Sequence, residues 1–322
     1  MLNLNLYLNL SILSLNLSLS LNLNLNLNLK PSTSTSTSTP PMDSTDKISV
    51  ISPRKSLFDL KLNEIWNYRD LFVLFIRRDI TVSYKQTILG PLWFFIQPLF
   101  TTLMFLLIFG RIARIPTGGI PPVLFYLGGI TVWNYFSECL RLTSDTFVKN
   151  AGLFGKVYFP RIITPLSIVS SNLVKFSIQL LLFLGVFLYY FLTDEHIQPN
   201  ITLTLIPVYI LILAILALGF GLIISAMTTK YRDLTFLIQF GVQLWMYATP
   251  VIYPISQIPE KYRGVIMANP VSPVVESFKY GFTGSGSFHL SSIIYSGIFS
   301  IVLFFIGIAI FNRTEKTFMD TV

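Results

Sequence analysis

Charge is scarce in this sequence. Asp, Glu, Lys and Arg make up 12% of its 322 residues, against roughly 25% in a soluble domain. Hydrophobic residues make up 52%. That shortage excludes a water-soluble globule and marks an integral membrane protein. Cysteine is almost missing: Cys139 is single, so no internal disulfide can form. The two histidines, His196 and His289, lie far apart, and no Cys/His cluster offers the ligands of a structural zinc site. A G-x-x-x-x-G-K-[ST] run is also missing. The one Gly-Lys pair, Gly155–Lys156, is followed by Val157, so the chain cannot cradle nucleotide phosphates by the P-loop route. The net charge of +8 is no nucleic-acid footprint, because the charges lie between apolar runs, where cytoplasmic loops gather Lys and Arg.

What is there begins with a leader. Residues 1–29 alternate Leu with Asn or Ser, and Lys30–Pro41 is Ser/Thr/Pro low complexity. The leader lacks the continuous apolar block of a spanning helix or a signal peptide. It reads as a tether, or as an upstream extension with Met42 as the working start. The chain therefore divides into a low-complexity leader (1–45), a linker and amphipathic helix (46–89), and a membrane domain (90–322). Over Leu57–Leu89, apolar Leu57, Leu60, Ile65, Tyr68, Leu71, Phe72 and Phe75 recur near 3/4 spacing beside Lys61, Arg69 and Asp70, which suits a helix lying at the membrane interface. Arg77, Arg78 and Lys85 hold its end outside the bilayer, and Gly90–Pro91 breaks it. PLWFFIQPLFTTLMFLLIFG follows, long enough to cross the hydrocarbon as a helix of about 20 residues.

Five more spans are expected near Pro122–Leu142, Leu166–Leu192, Leu203–Met227, Leu234–Ile252 and Ser291–Phe311. The fold expected is thus all-α: six transmembrane helices after an N-terminal cytoplasmic amphipathic interface helix. Both termini then lie on one side. If that side is cytoplasmic, sixteen of the 23 Lys and Arg fall inside, against five outside (Arg111, Arg114, Lys261, Arg263, Lys279), with Lys30 and Lys175 in neither group. The bias places the termini inside. Between spans five and six, YPISQIPEKYRGVIMANPVSPVVESFKYGFTGSG mixes prolines with short apolar runs and reads as short re-entrant helices near the outer face. Irregular backbone at that depth survives only against protein or a water-filled path.

Five separated segments, in order, carry a family resemblance: RRDITVSYKQTILGPLWFFIQP, NAGLFGKVYFPRIITPLS, KYRDL, TPVIYPISQIPEKYRGVIMANPVSPVVESFKYG and a terminal TEKTFMD. Together they resemble type-2 ABC transporter permeases, closest to the branch that exports O-antigen, capsule or teichoic-acid chains. The resemblance runs from about Lys55 to the C-terminus, and the leader has no counterpart in it. It implies a homodimeric permease in the cytoplasmic (inner) membrane that is no enzyme itself. A separate ATP-binding cassette subunit would hold the ATP and Mg, with no cofactor in this chain and a lipid-linked glycan as substrate.

Asp145–Tyr158, with Phe159-Pro160-Arg161 fixing the turn into span three, is by resemblance the coupling helix. Its residues Asp145, Lys149, Phe154, Lys156, Phe159, Pro160 and Arg161 would meet the ATPase. Tyr231, Arg232 and Asp233 would make a second, smaller contact. The plain reading of the first is a basic loop resting on anionic headgroups, and of the second a positive-inside anchor with a local ion pair. Arg69, Arg77, Arg78 and Lys85 mark the interface helix, which either braces the ATPase or simply anchors the chain. Trp93, Gln97 and Thr101 on span one, and Gln239, Gln243 and Tyr247 on span five, recur every four residues and share one helix face. They can line a sugar path, or bond between helices at about 0.6 kcal/mol each. Lys175 lies within span three, and Glu138 and Arg141 share a face as an interfacial ion pair. The alternatives are a type-2 ABC permease for drugs or lipids, and an ion-coupled secondary transporter, for which Lys175 is the one candidate. A hydrolytic or metal site at Asp194-Glu195-His196 is disfavoured against a solvated loop.

Overall fold

A chain in hydrocarbon must satisfy its backbone internally, and helices do so within one segment. In the computed structural model every described element is accordingly helical. The structure describes residues 62–85, 88–193, 197–231 and 233–318. The leader, the linker up to residue 61, the Asp194-Glu195-His196 cluster and Arg232 lie outside the described residues.

Helices α1 (Leu62–Asn67) and α2 (Arg69–Tyr84) open the described chain. The apolar stripe read from the sequence is their inner face: Phe75 is buried, and Ile65, Tyr68, Leu71 and Phe72 pack against the same cluster. After a tight turn at Gly90–Leu92 comes α3 (Trp93–Phe105), which continues as a π-helical stretch, Leu106–Ile112. Next are α4 (Pro122–Ser144), short α5 (Thr146–Phe154), α6 (Ile163–Thr193), α7 (Ile206–Thr228) and α8 (Leu234–Tyr247). Two further short helices, α9 (Glu260–Ala268) and α10 (Ser272–Thr283), precede the long α11 (Leu290–Phe318).

Among the described residues, four helical stretches are long and apolar enough to cross a membrane: Gly90–Ile112, Ile163–Thr193, Ile201–Thr228 and Leu290–Glu315. They coincide with expected spans one, three, four and six. Expected span two is α4, which has the length but is less apolar, because Asn134, Ser137, Glu138 and Arg141 interrupt its second half. Expected span five is shorter than its apolar run. Helix α8 stops at Tyr247 rather than Ile252, since Pro250 cannot donate to the ladder and disfavours helix at the residue before it.

Helix α4 is the centre of the bundle and packs against α3, α6, α7, α8 and α10. Its Phe125, Tyr126, Leu127, Ile130 and Phe136 are buried in the main apolar cluster. Helices α7 and α11 cross with their backbones nearly touching. A Cβ on Gly307 would stand 2.7 Å from the carbonyl oxygen of Gly219, so only glycine permits that approach, as small residues do in membrane helix crossings. A second apolar cluster gathers one end of the molecule around Phe75, Phe147, Phe154, Phe159 and Phe311.

Candidate functional site

The segment after α4 is short, polar at its edges and held hard against the bundle. Helix α5 occupies Thr146–Phe154 and ends at Gly155, close to where its sequence sets it. Two bonds tie its start to α7, and a third ties it back to α4. The amide of Phe147 donates to Ser225 Oγ at 3.3 Å, and Thr228 Oγ1 donates to the Ser144 carbonyl at 3.0 Å. Thr146 Oγ1 donates to the Thr143 carbonyl at 2.7 Å. Aromatic packing completes the anchor: the rings of Phe147 and Phe311 stack with centroids 4.6 Å apart, and Phe154 and Phe159 lie 5.7 Å apart. Phe75 of α2 meets Phe159 edge-on at 5.6 Å.

The candidate coupling residues therefore divide into two groups. Asp145, Phe154, Phe159, Pro160 and Arg161 are buried and hold the segment in place. Lys149, Lys156, Val157 and Tyr158 are exposed, and Tyr158 is the most exposed of the described aromatics here at 72%. Lys149 pairs with Asp145 at 2.9 Å. Arg161 is a buried cation with a full set of contacts. Its Nη1 donates to the Glu315 carbonyl at 2.9 Å, its Nε lies 3.9 Å from the Glu315 carboxylate, and its guanidinium covers the Phe154 ring at 5.4 Å. Burial lowers the Arg161 pKa from its ordinary value, and the Glu315 charge opposes that shift. One residue thus ties the loop to the last turns of α11. Tyr231 and Asp233 are exposed beyond the end of α7. The Thr228–Ser144 bond puts their turn beside α5.

On the helix ahead of the first span, Arg69, Arg77 and Lys85 are exposed. Arg78 pairs with Asp79 at 2.8 Å and covers the Phe75 ring at 4.6 Å. Helix α2 itself packs on α6. Glu138 and Arg141 form their expected pair at 2.7 Å. Lys175 is half-buried on α6, its ammonium 6.0 Å from the centre of the Phe94 ring.

The two polar stripes sit on outward faces. Trp93, Gln97, Gln239, Gln243 and Tyr247 are exposed, and Thr101 is partly so. Thr101 Oγ1 donates to the Gln97 carbonyl at 2.9 Å within its own helix. The stripes are flanked by exposed apolar side chains, among them Phe100, Leu103 and Met104 on α3 and Phe236, Leu237 and Phe240 on α8. Both helices pack on α4, so the stripes flank the same central element. Tyr253, whose hydroxyl donates to the Tyr247 carbonyl at 2.9 Å, closes the end of α8. Burial pushes its phenol pKa up.

Sequence reasoning missed two residues. Lys279 counts there as one of the outside charges, yet the structure buries both it and Glu276 on α10. Burial pushes the Glu276 carboxyl up and the Lys279 ammonium down, each offset in part by the charge of the other. The available signal was a Glu and a Lys three residues apart inside the apolar run VVESFKYGF.

The ABC-2 type transporter family matches residues 70–283. An O-antigen export system permease protein RfbA of Klebsiella pneumoniae is 28% identical over 253 residues, which cover 78% of this chain and 94% of that protein. Its namesake from Myxococcus xanthus is 28% identical over 265 residues, covering 81% and 98%. The polysialic acid transport protein KpsM of Escherichia coli is 24% identical over 249 residues, covering 76% and 93%. Since the matched region runs from the start of α2 to the end of α10, this chain belongs to the ABC-2 type transporter family.

Proposed function

We propose that the chain is the membrane permease subunit of an ATP-driven exporter that moves a polysaccharide outward across the cytoplasmic membrane. The observation that carries this reading is the similarity to O-antigen and polysialic acid permeases over 93% or more of their length. An ion-coupled carrier or a drug or lipid permease has no comparable support. In this reading six helices span the bilayer, α4 and α8 among them. Both termini are cytoplasmic, and α9 and α10 are short helices on the outer side.

The geometry suits such a role. A partner ATPase, which would hold the ATP and Mg, needs a rigid element to push. Helix α5 is rigid, because Phe147, Phe154 and Arg161 lock it to α7, α2 and α11. Lys149 on α5, with Lys156 and Tyr158 in the turn just after it, are the side chains presented. Two copies would bring the outward faces of α3 and α8 together, covering their apolar flanks and leaving Gln97, Thr101, Gln239 and Gln243 along a path between them. Neutral hydrogen-bonding groups and aromatic faces suit hydroxylated sugars.

The test is purification of the C-terminally tagged chain from its native membrane in mild detergent, with mass spectrometry of what stays bound. A stoichiometric P-loop ATPase is expected. Lys156→Glu with Tyr158→Asp should leave the yield of permease unchanged and abolish that co-purification. Gln97→Trp with Gln243→Trp should keep the ATPase bound and remove the surface glycan. A permease that emerges alone, with transport that survives ATP depletion, would sink the reading.

A further inference from the structure

Helix α10 is buried along nearly its whole length, although it carries two charges. Their partners differ. Lys279 spends its donors on protein: Nζ donates to the carbonyls of Pro250 at 2.7 Å and Val251 at 3.2 Å, just beyond the end of α8. It also sits 3.4 Å above the centre of the Phe125 ring on α4. Glu276 is 5% exposed, and its Oε2 has no hydrogen-bond partner. The loop after α10 closes over the carboxylate, with the Ser287 amide donating to it. Gly286 sits at φ 116° where a Cβ would come within 3.1 Å of Oε1. Both its conformation and that contact require glycine there.

Glu276 lines a cavity of about 600 Å³, within the range of about 300–1,000 Å³ typical of small-molecule sites. Its wall is mixed. Ser256, Ser287 and Ser292 supply hydroxyls, Arg263 a cation, and Phe125 and Met267 apolar surface. A buried acceptor left without a donor costs about 1–3 kcal/mol, so whatever fills this space should donate to Glu276.

The composition of the wall selects the ligand class. A metal cation is disfavoured, because the Lys279 ammonium and the Arg263 guanidinium border the same space. A simple anion is disfavoured by the carboxylate. A neutral polyhydroxyl compound fits, since each hydroxyl can donate to Glu276 and accept from Arg263 or a serine. Its C–H faces can rest on Met267 and Phe125. We propose that the cavity between α4, α9 and α10 is a saccharide-binding site that holds one or two sugar units through Glu276, separate from the polar stripes of α3 and α8. The proposal rests on the polysaccharide reading for its substrate class and deepens it by placing a recognition site within each single chain.

The test uses the full chain in lipid nanodiscs without any ATPase. The probes are galactose, mannose, rhamnose and N-acetylglucosamine, followed by saturation-transfer NMR. At least one sugar should show transfer. Glu276→Gln, which keeps the shape but turns an acceptor into a donor, should weaken it by about tenfold or more. Ser256→Trp, placed at the exposed mouth, should abolish it with the thermal midpoint unchanged, and Leu188→Trp, on the exposed flank of α6, should leave it intact. No transfer from any of the four sugars, or transfer indifferent to both cavity variants, overturns the proposal and leaves a water-filled space. That result is distinguishable from failure of the export reading. If export is right and the cavity proposal wrong, Gln243→Trp stops export while Glu276→Gln does not. If export is wrong, no pore variant changes the surface glycan, whatever the sugars do.

Discussion

Helices α4 and α8 touch each other and are opposites. Helix α4 carries Asn134, Glu138 and Arg141 and is the less apolar of the two, yet most of its residues are buried. Helix α8, LTFLIQFGVQLWMY, carries no charged residue, yet only Val242 among its residues is buried. In water the assignment would be reversed. Lipid tails solvate apolar side chains as well as a protein core does, so hydropathy says where a membrane would be and not which side of a helix faces protein. Close approach and partner bonds carry that information instead. A Cβ on Gly129 of α4 would lie 3.0 Å from the Val251 carbonyl oxygen, whereas one on Gly241 of α8 meets nothing within 4 Å.

The contrast can be broken most sharply at the ring contact between the two helices. Phe136 is fully buried and meets Trp245 edge-on with centroids 5.2 Å apart. Phe136→Ala should cost about 3 kcal/mol, seen as a lower thermal midpoint in detergent. The matching change on the outward face, Phe240→Ala, should leave that midpoint in place. A fall as large for Phe240 would mean that α8 is packed inside its own chain.

Next in size is the glycine pair. Gly129→Val forces a branched side chain onto backbone and should cost about 1–3 kcal/mol, with much of the protein eluting as aggregate in size-exclusion chromatography. Gly241→Val should elute as the wild type does. Equal behaviour would erase the distinction between the two helices.

A third test sharpens what the outward face is for. Cys139 is buried, so a cysteine placed at Gln243 is the one accessible thiol. If α8 faces a second copy, mild oxidation should give a disulfide-linked dimer for Gln243→Cys in membranes. A cysteine at Leu188 on the exposed flank of α6 should give none. Cross-linking at Leu188 alone would move the dimer contact away from α8.

The smallest effect is expected at the polar edge of α4. The Glu138–Arg141 pair is about 40% exposed on each side, and such pairs are worth about 0.2–1 kcal/mol. Arg141→Gln should shift the thermal midpoint little, and the shift should vanish at high salt. A large shift that persists in salt would make the pair part of the buried framework.

Much of the architecture was legible from residue order. The stripe through Ile65, Tyr68, Leu71, Phe72 and Phe75 is the packed face of α1 and α2. The short helix before Gly155 forms where its pattern sets it, and the apolar runs are helices. Phe154 shows the limit. As an aromatic in a basic loop it reads as a contact offered to a partner, but it is 2% exposed and stands inside the ring cluster with Phe147 and Phe159. Lys279 shows the same limit from the other side. In sequence it is one more outside charge, while in the fold it holds the turn after α8 through the Pro250 and Val251 carbonyls.

The sequence by itself determined that this chain lives in a membrane, that it does so as helices, where prolines and charges break them, and which family it resembles. All but the resemblance, which rests on five ordered segments, follow from local composition, because the bilayer rejects unpaired backbone and charge one segment at a time. Only the tertiary structure decided which helix faces are inside, which aromatics anchor α5 and which are exposed beside it, and that a buried Glu276 with an unpartnered oxygen lines a cavity. Those outcomes depend on contacts between residues far apart in the chain, and in an apolar solvent no local pattern announces them.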